Sequence, residues 1–166
     1  CRPYSLIVKT CLPDDRLALF GDPGTYDNIT GDEWASIMTR HCVNADVEVQ
    51  QERMEKSLLL SGVGKGTQEA SWRMNFTTAT PDVNGDAWPG TYSAPVVPNS
   101  GIPALLGLKT AQDLRALVDH EKKQLHLPGP GDIQVILPPG SRTYQMESAE
   151  SGHLMLPVAC FNRHNK

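Results

Sequence analysis

Leu17-Ala18-Leu19-Phe20-Gly21-Asp22-Pro23-Gly24-Thr25 is the stretch on which the reading of this chain turns. Four apolar residues, strand-like in character, run towards a carboxylate, a proline, a glycine and a hydroxyl. Asp22 therefore stands at the end of a strand. Gly24 lets the backbone turn there and approach closely. The Thr25 hydroxyl is suited to hydrogen-bond the carboxylate and hold its orientation. One reading is a rigidly held carboxylate at the floor of a cleft. The other is an ordinary Asp-Pro-Gly turn, since Pro-Gly is among the commonest turn pairs.

The 166 residues suffice for one domain with tails, or for a domain with one insertion, and 39% hydrophobic residues suit a small core. A net charge of −4 offers no basic stripe for nucleic acid and disfavours a membrane surface. No apolar run approaches the roughly 18–20 residues that span a bilayer. Thirteen prolines and 14 glycines beside only 6% aromatics favour short strands joined by turns over a helical bundle. Cys1, Cys11, Cys42 and Cys160 form no C-x-x-C pair, which argues against a zinc cluster. Their spacing allows disulfides without demanding them, free and mostly buried thiols are the expectation, and the redox compartment stays open. The chain begins at Cys1 rather than Met, as a processed product, an excised domain or an incompletely described chain does. No signal or transit segment is visible, and one already removed would leave no trace. Asn28-Ile29-Thr30 and Asn75-Phe76-Thr77 match the glycosylation sequon and read as chance.

Local patterns along the chain predict short strands. Tyr4 to Thr10 is strand-like, Pro13-Asp14-Asp15 is a turn, and Leu17 to Gly21 completes a hairpin leading into Asp22. Thr30-Gly31-Asp32-Glu33 is a helix start with acidic residues in its first turn. Trp34, Ile37, Met38 and His41 at i, i+3, i+4 and i+7 predict an amphipathic helix from Asp32 to His41. Asn44 to Lys56 reads as a solvated connection or an exposed strand. Ser57 to Ser61, Glu69 to Thr78 and Thr91 to Val97 are further strands, with an Asn84-Gly85 turn before the last. Thr110 to Arg115 reads as a short helix capped by Thr110. Leu117 to Asp119 and Gln124 to Leu127 form strand, turn, strand. Ile133 to Leu137, Thr143 to Met146 and His153 to Val158 are three more strands. The sum is a mostly-β, barrel-like domain with one or two short helices.

Gly62-Val63-Gly64-Lys65-Gly66-Thr67 suggests a phosphate loop, but that pattern needs Ser or Thr directly after Gly-Lys and a helix beyond it. Gly66 intervenes and a strand comes next, so nucleotide binding is rejected and a glycine-rich hairpin tip remains. The histidines His41, His120, His126, His153 and His164 lack metal-ligand spacing and read as surface or packing residues. Nothing nominates a base for a Ser or Cys hydrolase. Trp72 and Trp88 are assigned to core or edge packing rather than to a groove. No cofactor is indicated.

Asp22-x-Gly24-Thr25-x-x-Asn28-Ile29, the glycine-rich Gly62 to Gly66, and Pro103-Ala104-Leu105-Leu106-Gly107 leading into a helix come in an order and spacing that resembles the retropepsin-like aspartic proteases of retroelement polyproteins. Arg115 to Asp119, Gln124 to Pro128 and Ser151 to Pro157 also resemble segments of such polyproteins. The resemblance covers roughly Leu17 to Val158. It implies a closed β-barrel over 17–158, with an N-terminal strand and turn at 1–16 and a tail at 159–166. It also implies that Asp22, Gly24 and Thr25 are catalytic, and that Gly62, Val63, Gly64, Lys65 and Gly66 form the flap over a peptide or protein substrate. The Pro103–Gly107 segment would pack beneath the catalytic loop.

Such an enzyme needs two carboxylates sharing a proton, and this chain has one Asp-x-Gly motif, so the resemblance implies a twofold homodimer with Asp22 from each copy at the axis. Two positions depart from the pattern. Pro23 replaces a Thr or Ser whose hydroxyl ties the two loops together, and it supplies neither hydroxyl nor N–H. Gly21 replaces a bulky apolar residue. Two functional classes therefore stand side by side: an active homodimeric aspartic endopeptidase, and an inactive retropepsin-like domain serving as a binding module or as a structural subunit of a larger assembly. An unrelated β-barrel binding domain is a third reading, favoured if Leu105-Leu106-Gly107 does not pack under the Asp22 loop.

Overall fold

The structure, a computed structural model, describes residues 12–14, 16–60 and 66–158. The expected strand Tyr4 to Thr10, the glycine-rich residues Gly62 to Lys65, and Cys1, Cys11 and Cys160 lie outside the described residues.

Twelve elements succeed one another: β1 (Leu19–Asp22), β2 (Thr30–Gly31), α1 (Asp32–Asn44), β3 (Val49–Leu60), β4 (Gln68–Pro81), β5 (Ala87–Val97), β6 (Ala104–Gly107), α2 (Leu108–Asp113), β7 (Leu117–Asp119), β8 (Gln124–His126), β9 (Glu147–Ser148) and β10 (Leu154–Met155). The fold is mostly β with two helices. Its centre is a four-stranded sheet in the order β2-β5-β4-β3. Polar, exposed β3 takes the edge, and its register against β4 shifts between Arg53 and Leu58. Antiparallel pairing runs up to Leu60↔Gln68, so residues 61–67 connect a hairpin. The β4–β5 turn closes with Gly85 N donating to the Asp82 carbonyl at 3.1 Å, at the expected Asn-Gly.

The described residues form no closed barrel. Beside the central sheet stand three two-stranded sheets, β1-β6, β7-β8 and β9-β10. The C-terminal apolar segments add no strand to the central sheet. Ile133 to Leu137 and Thr143 to Met146 form no strand, and Ile136 is 94% exposed. His153 to Val158 shortens to Leu154–Met155. Strand propensity without a partner leaves backbone groups to water. Among the described residues β1 pairs with β6 in parallel, Asp22 opposite Gly107; the other strand of the expected hairpin, Tyr4 to Thr10, lies outside them.

Two clusters make the core. Ala35, Phe76, Tyr92, Ala94 and Ala104 form the first, with Trp34 and Met38 packed against it. Trp34 meets Phe76 edge-on at 5.5 Å and Tyr92 at 5.7 Å, a favoured aromatic geometry. Ile29, Val97, Ile102 and Leu105 form the second, joined by Leu60. Helix α1 buries Ala35 and Cys42 and exposes His41. The helix runs a turn beyond the expected His41 end, and Cys42, four residues after Met38, completes its inner stripe. Burial pushes the free Cys42 thiol up, and its Sγ lies 3.5 Å from the Thr77 carbonyl. The cap of α2 is Gly107 and not Thr110, whose hydroxyl is engaged elsewhere. Trp72 and Trp88 are 45% and 63% exposed, so neither is a core residue.

Tyr92 joins the core to the loops. Its hydroxyl lies 3.1 Å from the Ile29 carbonyl and 2.9 Å from that of Leu105. Burial raises its phenol well above the ordinary value, so it stays a neutral donor. Tyr92→Phe should therefore cost about 1 kcal/mol, the net worth of one buried hydrogen bond. Exposed Tyr144→Phe should cost almost nothing; urea denaturation of the two variants checks the contrast.

Candidate active site

Strand β1 delivers Asp22 to a tight turn in which Thr25 N donates to the Asp22 carbonyl at 3.0 Å. The partly buried carboxylate is held from within this turn. Gly24 N donates to Oδ1 at 2.9 Å, and the Thr25 hydroxyl donates to Oδ2 at 3.2 Å. Each oxygen thus has one donor and keeps lone-pair capacity for another. None of the ion pairs formed among the described residues involves Asp22. Pro23 stands at the turn's first central position, where its fixed φ is accommodated and no N–H is required. The same contacts serve a plain Asp-Pro-Gly turn and a catalytic loop alike.

The segment beyond the turn is less ordinary. Asn28 uses both ends of its carboxamide: Nδ2 donates to the Ser93 carbonyl on β5 at 3.0 Å, while Oδ1 accepts from Gly107 N at 2.9 Å and the Thr110 hydroxyl at 3.0 Å. Leu108 N donates to the Thr25 carbonyl and Lys109 N to the Tyr26 carbonyl, at 2.8 and 2.9 Å. Leu105 N donates to the Ile29 carbonyl at 2.7 Å. The Ala104–Gly107 strand and the start of α2 thus pack against residues 25–29, as expected for Leu105-Leu106-Gly107. Gly107 is required there, since a Cβ would stand 2.6 Å from the Asp27 carbonyl carbon and oxygen. Asn28 Nδ2, the atom that would carry a glycan, is engaged with the Ser93 carbonyl.

Asp22, Gly24 and Thr25 come together; of the glycine-rich segment only Gly66 is described, so its relation to Asp22 lies outside the described residues. Two residues near the loop escaped the sequence reading. His153 sits with Nε2 3.2 Å from the Gly24 carbonyl, and its ring meets Tyr26 edge-on at 6.0 Å. A Ser-Gly-His triplet in a C-terminal segment gives no signal of a partner so far back in sequence.

A groove lies elsewhere. About 640 Å³ in volume, it runs between α1 and the central sheet, lined by Ala35, Thr39, Arg40, Trp72 and Met74 among others, and does not reach Asp22. Trp72 therefore lines a groove after all. No group of three His, Cys, Asp or Glu side chains converges on a metal-sized site among the described residues. No described helix is long and apolar enough to cross a membrane.

No protein family matches the chain by sequence, and no curated protein matches it. Among solved structures, the retroviral protease-like domain of Ddi1 from Leishmania major aligns over 66% of this chain and 76% of that one, with 18% identity and a TM-score of 0.36.

Asn28→Ala would strand the Gly107 N–H, the Thr110 hydroxyl and the Ser93 carbonyl at once. We expect a loss of about 2–3 kcal/mol, against about 1 kcal/mol for Thr110→Ala, measured by chemical denaturation.

Proposed function

We propose that the Asp22 loop is the catalytic half-site of an aspartic endopeptidase, completed by Asp22 of a second copy. The observation that carries this reading is the held yet accessible carboxylate: Gly24 N and the Thr25 hydroxyl each take one oxygen, at 2.9 and 3.2 Å, and no cation neutralises it among the described residues. A carboxylate oriented at low mobility and not consumed by an ion pair is what general acid–base work requires. Two such groups brought together share one proton, because like charges at close range do not both ionise. The ionised member takes a proton from water as that water attacks the peptide carbonyl. The protonated member donates to the carbonyl oxygen, where negative charge develops. The glycine-rich connection at 61–67 is the flap in this reading, closing over a peptide or protein substrate.

A second reading rests on Pro23. Lacking an N–H and a hydroxyl, it cannot join two loops across a dimer axis as a Thr or Ser would. On that reading the domain keeps its shape without its chemistry and acts as a binding module or a structural subunit.

Mass in solution, measured by sedimentation on samples also given a peptide library, separates the two. The protease reading expects a dimer that cleaves peptides and an Asp22→Asn variant with cleavage at background. Pro23→Thr should strengthen the dimer by restoring donors to the loop. A wild-type monomer that cleaves nothing at pH 5 or pH 7 would contradict the protease reading and favour the module.

A further inference from the structure

The turn between β9 and β10 reaches back across the fold to the Asp22 loop. Ala149 N donates to the His153 carbonyl and Gly152 N to the Ala149 carbonyl, both at 2.9 Å, which closes the turn. Gly152 has φ +86°, and a Cβ there would stand 2.4 Å from the Tyr26 ring, so only glycine lets this turn lie so close. His153 then reaches the Gly24 carbonyl with Nε2. A carbonyl only accepts, so Nε2 carries the proton. In the neutral ring Nδ1 is then the acceptor, and the Ser151 hydroxyl at 2.9 Å donates to it. The Gly24 carbonyl thus sets the tautomer, and the Ser151 hydroxyl, able to donate or accept, complements it on the other side of the ring.

The bond falls on a particular peptide unit. The Gly24 carbonyl and the Thr25 N–H belong to the same trans peptide, and the two groups point in opposite directions. Thr25 N–H is the donor that closes the turn on the Asp22 carbonyl. His153 holds the other side of that unit. Glycine imposes little steric resistance to rotation of a neighbouring peptide, so Gly24 is where this loop is softest. Rotation of the 24–25 unit would remove Thr25 N–H from Asp22 and displace the residue whose hydroxyl orients the carboxylate.

We propose that His153 is a positioning residue for the Asp22 carboxylate: the β9–β10 turn is a clasp that fixes the Gly24–Thr25 peptide through the His153 Nε2–H bond, with Ser151 holding the ring from its Nδ1 side. The catalytic part of this inference rests on the protease reading of the Asp22 loop; the clasp itself does not.

The test uses the full chain, labelled with ¹⁵N, as wild type, His153→Phe, His153→Gln and Ser151→Ala. Amide hydrogen exchange is read at Thr25, with Tyr92 and Val97 as reporters of global stability, and peptide cleavage is monitored on the same samples. His153→Phe should speed Thr25 exchange about three- to tenfold, the range of one net hydrogen bond, without moving the core reporters. His153→Gln should restore slow exchange, because its side-chain amide offers a donor with reach similar to Nε2. Ser151→Ala should give a smaller increase and needs no ring replacement, so it remains informative if the Phe variant fails to fold. In cleavage, His153→Phe should lower kcat with KM little changed, and Gln should recover it. Unchanged Thr25 exchange in both His153→Phe and Ser151→Ala, or a Gln variant that behaves like Phe, would overturn the clasp. Faster Thr25 exchange with kcat unmoved would overturn its catalytic role. An exchange response with no cleavage by any sample, wild type included, would uphold the clasp and contradict the protease reading.

Discussion

One carboxamide, that of Asn28, ties together the parts of this fold that matter for its candidate site. Its nitrogen end bonds the Ser93 carbonyl in the central sheet, and its oxygen end bonds Gly107 N and the Thr110 hydroxyl where β6 passes into α2. Asn is suited to this because a single side chain offers donors and an acceptor at fixed separation. Three elements distant in sequence are thereby held around the segment just after Asp22. Tyr92 reinforces the join from inside the core by placing its hydroxyl between the Ile29 and Leu105 carbonyls. The Asp22 turn is small and exposed, yet it is anchored on its C-terminal side by a network whose members are mostly buried.

That anchoring explains why the loop is partly legible in the sequence. Asp22, Gly24 and Thr25 interact within four residues, and such short-range chemistry is written locally. Asn28 stands out through its spacing from Asp22, and Leu105-Leu106-Gly107 through its apolar character. The exposed β3 edge, the β4–β5 hairpin and its Asn84-Gly85 turn are likewise readable from polarity and turn chemistry. The features that escape depend on partners remote in the chain. Thr110 resembles a helix cap because Thr is a good one, but its hydroxyl is spent on Asn28, and Gly107 takes the cap without a side-chain bond. Ile133 to Leu137 has the composition of a strand and finds no strand to pair with among the described residues. His153 meets a carbonyl 129 residues earlier, and no local pattern encodes that.

The proposed chemistry would depend on a division of labour between rigid and soft parts. The carboxylate is oriented by donors in its own turn, which needs no second chain. The proposed proton-sharing pair would need one, and Pro23, with neither N–H nor hydroxyl, offers that pairing no donor. On that reading, two copies would have to join through surfaces beyond residue 23. The C-terminal third, with Val135, Ile136, Leu137 and Met155 all exposed, carries apolar area that the described residues leave uncovered.

A peptide with a secondary hydroxyl in place of its scissile carbonyl tests the central claim most directly, because it mimics the tetrahedral intermediate that a pair of carboxylates would stabilise. Calorimetric titration with this ligand gives the stoichiometry. A shared site predicts saturation at one ligand per two chains, with binding lost in Asp22→Asn. Binding of one ligand per chain, or none, would contradict a site built from two copies of Asp22.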